Sequence, residues 1–338
     1  MVQATRLGVT LPVPPEPGVS PAAAALRMAD WAEQEGFDGL WFADTGEIDA
    51  LTLAAAVAMR ARRARIGLAV VPVYTRTPVV LASSVATLAH LAPGRFVLGL
   101  GASSHAMIEG WHGLKLEKPL TRVKETTLAL RQALSGQATQ FQGETLRTTG
   151  FRLASPPVPE VPIMLAGLRA KMLEMAAAVG DGVIVNLFPA AALPRIMEHI
   201  RAGAAQAGKD MAALEIVCRH QICVTDNPAR ARDAFRKRFA PYFATAVYNR
   251  FLAWCGHEGA AREIEAGFKA KDRARTGAAL DDALVDQIAV IGTAEQCRER
   301  IRELVRGGIT TPVVSCFSPD PKEFLATHEA FTPARFGQ

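Results

Sequence analysis

Cysteines, aromatic residues and long apolar runs are all scarce in this chain. Only 5 of its 338 residues are cysteines, and no two of them form a Cys-x-x-Cys pair. The sequence therefore indicates neither a zinc site nor a disulfide framework. Aromatic residues make up 7% of the chain, which disfavours an aromatic-rich β-sandwich. The longest apolar runs, such as Pro21–Leu26 and Ile66–Val73, are far shorter than the roughly 20 residues of a membrane span, so we expect none.

The remaining composition is that of a globular protein. Hydrophobic residues make up 49% and charged residues 21%, which is too apolar for intrinsic disorder. Residues 1–18 lack the charged segment and the apolar stretch of a secretory signal. We therefore expect a cytoplasmic protein with reduced, buried cysteines, namely Cys218, Cys223, Cys255, Cys297 and Cys316.

The charge balance is modestly positive. The formal net charge is +5, and basic clusters stand at Arg60–Arg65 and Arg232–Arg238. A nucleic-acid interface needs a basic stripe with stacking aromatics or a known binding module, and the sequence has neither. We predict that both clusters are solvated helix faces or helix ends and that the chain binds no nucleic acid. The positive balance also suits an anionic small ligand.

Short apolar runs alternate with Ala-rich helical stretches through most of the chain. The runs are continuous, as in parallel strands covered on both faces. A helix is predicted over Pro21–Glu35, with Ser20 as its N-cap and Gly36 at its end. Eight strands with helices between them predict a (β/α)₈ TIM barrel, with a doubly wound sheet as the alternative. The predicted strands are Leu7–Leu11, Gly39–Ala43, Ile66–Val71, Phe96–Leu100, Ile163–Ala166, Val183–Asn186, Glu215–Val224 and Thr311–Cys316.

Two longer segments interrupt this rhythm. Residues 137–161 are polar and proline-rich, and the stretch FQGETLRTTGF predicts a small hairpin. Residues 227–286 are too long for one crossover and predict several helices before the last strand. We therefore predict a single barrel domain over residues 1–338 with two insertions.

In a barrel, the loops after the carboxyl ends of the strands carry the active site. This rule selects Asp44, the loop Gly101–His105, the segment Gly167–Lys171 and Asn186. The small residues after the fourth strand would let a planar cofactor approach the backbone, namely Gly101, Ala102, Ser103 and Ser104. The segment Gly167–Lys171 opens a helix and predicts an anion or phosphate site, the alternative being an ordinary loop with two solvated cations.

Other readings of these residues stay open. His105 either lines the site or is a hydrogen-bonded structural residue. Asp44 either contacts a ligand or caps the helix near Ile48, for which Asp49 is better placed. The stretch GLGASS only partly matches a dinucleotide fingerprint, because its third glycine is replaced and no helix clearly opens there. Motifs such as HxH and HExxH are absent, so no metal site is predicted.

Five segments carry a family resemblance: AEQEGFDGLWFAD, VPVYTRTPVVLASSVATLAHLAPGRFVLGLGAS, GWHGLKLEKPLTRVKE, VPIMLAGLRAKMLEMAAAVGDGVIVN and IGTAEQCRERIRELVRGGI. Together they resemble the luciferase-like flavin and deazaflavin oxidoreductase superfamily over nearly the whole chain. The resemblance implies a TIM barrel with insertions. It also implies a homodimer, which Ala-rich faces such as Leu53–Ala61 would permit.

Within that superfamily the chain is similar to the branch that uses coenzyme F420, a phosphorylated deazaflavin, and that includes methylenetetrahydromethanopterin reductase. The similarity implies that Ala69, Val70 and Val71 form a bulge with a non-proline cis peptide behind the deazaflavin ring. It further implies that Gly101–Ser104 border the ring, while the phosphate end is held by Gly167, Leu168, Arg169 and Lys171. Asn186 is a further candidate cofactor contact.

Three positions depart from the pattern of this branch. Thr45 stands after Asp44 where some members have histidine, and Ser104 stands where sugar-phosphate-oxidising members have glutamate. Arg169–Ala170 replaces the more common Gly-Pro of the phosphate loop. These differences make glucose-phosphate activity doubtful and imply a shifted phosphate site.

Three functions follow from the resemblance. The first is a coenzyme F420-dependent oxidoreductase that moves a hydride between the deazaflavin C5 and a small organic substrate. His105 would then donate or accept a proton, with Asp44 and Ser104 as polar contacts. The second is an FMN-dependent monooxygenase that uses molecular oxygen. The third is a flavin- or deazaflavin-binding protein without turnover.

Overall fold

The computed structural model describes residues 6–11, 18–46 and 48–337. Most of residues 1–18, for which the sequence predicts no secretory signal, lie outside these ranges. The strands, numbered in chain order, are β1 Gly8–Leu11, β2 Gly39–Phe42, β3 Arg65–Pro72, β4 Phe96–Gly101, β5 Gln140–Gln142, β6 Arg147–Thr149, β7 Ile163–Ala166, β8 Gly182–Asn186, β9 Glu215–Val224, β10 Val290–Gly292 and β11 Thr311–Cys316.

Helices connect these strands and fill the longer insertions. They are α1 Pro21–Glu35, α2 Ala50–Ala58, α3 Pro78–Leu91, α4 Pro119–Leu134, α5 Ala170–Val179, α6 Leu193–Gln206, α7 Pro228–Phe243, α8 Ala246–Trp254, α9 Glu258–Lys269, α10 Arg273–Ala278, α11 Asp282–Ile288, α12 Ala294–Arg306, α13 Pro321–Ala330 and α14 Pro333–Phe336. A π-helical turn spans Ala106–Trp111, and 3₁₀ turns span Ala190–Ala192 and Met211–Ala213.

Eight parallel strands close into a barrel, as predicted. The order around the barrel is β1, β2, β3, β4, β7, β8, β9 and β11, and β11 pairs again with β1. This closure excludes the doubly wound alternative. The eight predicted strands are confirmed to within a residue or so at each end, as are helix α1 with its Ser20 cap and the hairpin of β5 and β6. The short strand β10, which pairs with the outer end of β9, was not predicted.

A tryptophan and three glycines fill the inside of the barrel near its amino-terminal end. Trp41 is 3% exposed, and a Cβ added to Gly8, Gly39 or Gly67 would lie 2.6, 2.7 or 2.4 Å from its ring. The indole therefore occupies space that three neighbouring strands leave free. It packs with the inward-facing side chains of the other strands, which are Val97, Met164, Ile184, Val217 and Val313. This apolar layer fills the barrel interior at that level.

A buried carboxylate lies at the amino-terminal end of the barrel. Glu215, at the start of β9, pairs with Arg65 at the start of β3 at 2.9 and 3.0 Å. It also pairs with Arg6 at 3.2 Å and accepts a hydrogen bond from Thr311 at 2.5 Å. These contacts connect β3, β9 and β11, at the barrel end where polar groups serve stability.

The insertion before the last strand forms the predicted set of helices. Phe235, Phe239 and Phe243 recur at helical spacing along α7 and pack into a second apolar cluster with Phe317. The opposite face of α7 carries the basic cluster, whose Arg232 pairs with Asp286 at 2.8 Å. This insertion therefore has its own apolar core beside the barrel.

Both basic clusters take part in ion pairs on the surface. In the first, Arg60 pairs with Asp30, and Arg63 lies 3.6 Å from Glu33.

The five cysteines are free, and four of them are buried. Burial raises the pKa of the Cys297 thiol to about 12, so it stays protonated and behaves as a small apolar group. Among the described residues, no helix has the length and hydropathy of a membrane span, and no group of three metal-ligating side chains is found.

The Ala-rich stretch of α2 packs inward along one side. Leu53, Ala54, Val57 and Ala58 are buried in the core of their own chain. Ala56 and Met59 of the same stretch are exposed.

Two buried histidines make acid stability a testable property. Burial lowers the pKa of His220 to about 3 and of His328 to about 4. Because an unfolded histidine titrates near 6.5, the unfolded state takes up protons first as the pH falls. We expect the contribution of these histidines to the free energy of unfolding to be constant above about pH 7 and to fall between about pH 6.5 and 4.5, by up to about 1.4 kcal/mol per pH unit for each histidine. Urea denaturation at several pH values measures this slope.

The matched variant is His328→Gln, since glutamine keeps a polar side chain beside the Phe324 carbonyl that His328 Nδ1 contacts at 2.8 Å. We expect it to have a shallower slope over the same interval. Carboxyl groups such as Glu323 act at lower pH. Burial raises the pKa of Glu323, but hydrogen bonds from Ser318, Thr225 and Arg230 together with the Arg230 charge lower it overall. An unchanged slope in His328→Gln would contradict the assignment to this histidine.

Candidate active site

A cavity of about 630 Å³ opens at the carboxyl ends of the barrel strands. Its size falls within the range of small-molecule and cofactor sites, about 300 to 1,000 Å³. Most of the residues selected from the sequence line it, namely Asp44, Ala69, Val70, Gly101, Ala102, Ser103, Ser104, Leu168, Arg169, Lys171 and Asn186. Three selected residues do not line it, and these are Val71, His105 and Gly167.

One wall of the cavity is an apolar bulge in β3. The Ala69–Val70 peptide bond is cis, and the pairing of β3 with β4 shifts between Leu68 and Val71. Ala69 and Val70 face the cavity, whereas Val71 is fully buried in the layer between the strands and the helices. The cofactor contact expected of Val71 is therefore wrong for its side chain, because neighbouring residues of a strand point to opposite faces.

Gly101 lets β4 lie close against this bulge. A Cβ at Gly101 would lie 2.7 Å from Cγ2 of Val70, so a larger residue would push into the bulge.

Gly167 has a different role from the one expected, since its missing Cβ makes room for the backbone of Leu173 at 3.1 Å. It permits close packing of α5 on the barrel and lies outside the cavity.

The loop after β4 turns sharply before it leaves the cavity. Ser103 has a φ of +65°, and the Ser104 hydroxyl accepts a hydrogen bond from the Met107 amide at 3.4 Å. A π-helical turn follows at Ala106–Trp111, where the sequence did not indicate a helix. His105 stands at the start of this turn and is exposed. The structure does not bring its side chain into the cavity, so the proton-transfer role expected of it has no support from this geometry.

Asp44 faces the cavity with its charge already paired. Arg76 bonds to both Asp44 and Asp49, and the Asp44 amide donates to the Val70 carbonyl at 3.4 Å. Asp49 caps α2 through the Thr52 amide, as expected from its position. Asp44 is thus a fixed acceptor beside the bulge, and α2 begins without it.

The rim of the cavity at the start of α5, after β7, is cationic. Arg169 is the N-cap residue of α5, and Lys171 lies in its first turn. Both side chains are exposed and line the cavity, and the described chain offers them no ion pair. The amino-terminal end of a helix favours anions through its free N–H groups and its dipole. Together these groups can hold a phosphate.

Several lining residues were missed from the sequence. Arg219 on β9 faces the cavity, and Tyr248 and Trp254 reach it from α8. Asn186 donates to the Tyr248 hydroxyl at 3.4 Å. A charged residue inside the apolar run EIVCRHQICV was a usable signal for Arg219, because charges are rarely placed in a covered strand without a role. Nothing in the sequence showed that α8 folds over the barrel.

The cavity lies at the carboxyl ends of the barrel strands, where TIM-barrel enzymes hold their ligands. An apolar bulge and a cationic helix start both face it. These features are those of a TIM-barrel enzyme. The model of the luciferase-like monooxygenase family matches residues 5–311. The 5,10-methylenetetrahydromethanopterin reductase of Methanolobus tindarius is 30% identical over 296 residues, or 86% of this chain and 90% of that protein. The chain therefore belongs to the luciferase-like family and is an oxidoreductase.

Solved structures share the fold. The coenzyme F420-dependent tetrahydromethanopterin reductase from Methanopyrus kandleri superposes with a TM-score of 0.82 at 20% identity, covering 98% of both chains. The oxygenating constituent of 3,6-diketocamphane monooxygenase from Pseudomonas putida, in complex with FMN, superposes with a TM-score of 0.73 at 18% identity over 98% of this chain and 97% of that one. At these identities the likeness concerns the fold.

Proposed function

We propose that this chain is a coenzyme F420-dependent oxidoreductase that transfers a hydride between the deazaflavin C5 and a small organic substrate. The observation that carries the proposal is the pairing of an apolar, bulged wall with a cationic helix start across one cavity. The similarity to methylenetetrahydromethanopterin reductase supports it.

The residues present fit such a cofactor. Ala69 and Val70 offer an apolar surface to a ring, and Gly101 lets β4 lie against the bulge without displacing Val70. Arg169 and Lys171 offer two cations and a helix start to a phosphate. When bound, the deazaflavin gains or loses a hydride at its C5 carbon.

The protein's own groups position the reactants and hold a proton. Asp44, fixed by Arg76, accepts hydrogen bonds beside the bulge. Burial raises the pKa of the Tyr248 phenol, against the hydrogen bond from Asn186 and the charge of Arg219. Tyr248 therefore keeps its proton at neutral pH and takes the place of His105 as the proton-bearing group at the cavity. Helix α8 lines this side of the cavity through Tyr248 and Trp254.

Titration of the purified protein with coenzyme F420 and with reduced FMN tests the proposal. We expect tight binding of F420 and hydride exchange from the reduced cofactor to acceptor substrates. Tight binding of reduced FMN with oxygen uptake would favour a monooxygenase instead, as in the FMN-bound structural neighbour. Binding without hydride exchange across a broad panel of acceptors would favour a protein that only binds its cofactor.

Removing the cationic rim should weaken cofactor binding. In the double variant Arg169→Ala/Lys171→Ala we expect the dissociation constant of F420 to rise about tenfold, since exposed ion pairs contribute modestly. Fluorescence titration measures the change. Lys124→Ala is the matched control, because Lys124 is exposed on α4 and does not line the cavity. Equal affinity in the double variant and the control would place the phosphate elsewhere.

We further propose that the protein acts in the cytoplasm as a homodimer and without nucleic-acid or membrane partners. Most of the arginines in the two basic clusters are ion-paired, which supports the absence of a nucleic-acid partner. Sedimentation velocity would contradict the dimer by reporting a species near the mass of one chain, 36.2 kDa.

A further inference from the structure

Arg219 is a cation in the cavity wall without a partner in the described part of the chain. It is half-buried on β9 and lines the cavity. Within residues 6–11, 18–46 and 48–337, no hydrogen bond, ion pair or ring contact to its guanidinium is found. By contrast, Arg65 and Arg76 are similarly shielded and both pair with carboxylates. A charged side chain that faces a largely apolar cavity without a protein partner is the kind of group that orients a ligand there.

Two further polar atoms in the same cavity lack partners among the described residues. They are Oγ1 of Thr10 and Oδ1 of Asn186, and both are buried. Asn186 is the direct neighbour of Arg219 in the pairing of β8 with β9. Burying a hydrogen-bond acceptor without a donor costs free energy comparable to the loss of a hydrogen bond. This wall is therefore polar, and the bulged wall of β3 is apolar.

We propose that Arg219 binds a carboxylate of the substrate. This inference rests on the proposed function, because it assigns the bulge to the cofactor ring and the α5 rim to its phosphate. Asp44 does not neutralise Arg219, since its carboxylate is held by Arg76. A single planar guanidinium matches a monoanionic carboxylate through two parallel hydrogen bonds. Thr10 and Asn186 then serve other polar groups of the same small organic acid.

Probe binding to the full chain tests the proposal. Benzoate and benzamide have nearly the same shape and differ in charge, and Trp41 and Trp254 line the cavity as fluorescent reporters. We expect benzoate to bind more tightly than benzamide. Arg219→Gln should weaken benzoate about 10- to 100-fold and leave benzamide unchanged, because a hydrogen-bonded charge pair is lost. Arg219→Lys should retain part of the preference.

Arg152→Gln is the matched control, since Arg152 is exposed and does not line the cavity. Equal benzoate affinity in wild type and Arg219→Gln would overturn the proposal. Phenyl phosphate that binds more tightly than benzoate with the same Arg219 dependence would overturn the carboxylate assignment. F420 and reduced FMN are titrated in parallel. If neither binds the wild-type protein while benzoate still requires Arg219, the proposed function fails and the anion site stands.

Discussion

Replacing Trp41 with alanine is expected to lower the free energy of unfolding by about 3–5 kcal/mol, the usual cost of removing a large buried aromatic side chain. The indole is 3% exposed and fills the barrel against Gly8, Gly39 and Gly67. None of these glycines can refill the space, because they have no side chains. Urea denaturation followed by circular dichroism measures the loss without relying on tryptophan fluorescence.

A double-mutant cycle with Gly67→Ala tests the reason for this loss. In the wild-type background the new Cβ would lie 2.4 Å from the Trp41 ring, and we expect a cost of about 1–3 kcal/mol from overpacking. In the Trp41→Ala background the same change should be neutral or stabilising, since alanine in a strand is favoured over glycine. Additive effects of the two changes would show that the glycines do not make room for the indole.

Replacing Glu215 with alanine is expected to cost about 3–5 kcal/mol of unfolding free energy, because a shielded ion pair loses one partner. The Glu215 side chain is 8% exposed and the Arg65 side chain is 19% exposed. Water therefore hydrates the Arg65 guanidinium poorly once its carboxylate partner is removed. The effect should persist in high salt, since shielded pairs are only weakly screened. Urea denaturation at low and high ionic strength measures both points.

Two variants separate charge from hydrogen bonding at this position. Glu215→Gln keeps an acceptor for the Thr311 hydroxyl and should cost less than Glu215→Ala. Thr311→Val removes one hydrogen bond to the charged carboxylate, which is worth about 1.5–3 kcal/mol. All three variants should bind the cofactor as the wild type does, because Glu215 lies at the end of the barrel away from the cavity. Weakened cofactor binding in a variant that remains folded would contradict this placement.

The sequence predicted the barrel well and the site in part, for different physical reasons. Continuous apolar runs such as Ile163–Ala166 must be buried on both faces, and this requirement is local. Proximity to a strand end was enough to place Asp44, Arg169 and Asn186 at the cavity. It was not enough for His105, because the direction of a side chain after a strand depends on the turn that follows, here a π-helical one. Tyr248 reaches the cavity only through the tertiary packing of α8, for which no local pattern exists.

The cavity is built from two parts of the chain that are far apart in sequence. The bulge of β3, the loop after β4 and the start of α5 form one part, and α8 in the insertion at residues 227–286 covers the other. An exchange of the insertion between related barrels would therefore change the α8 side of the cavity while leaving the β3 bulge, the cationic rim and Arg219 in place. The side of the cavity that α8 lines can therefore be redesigned within one contiguous stretch of the chain.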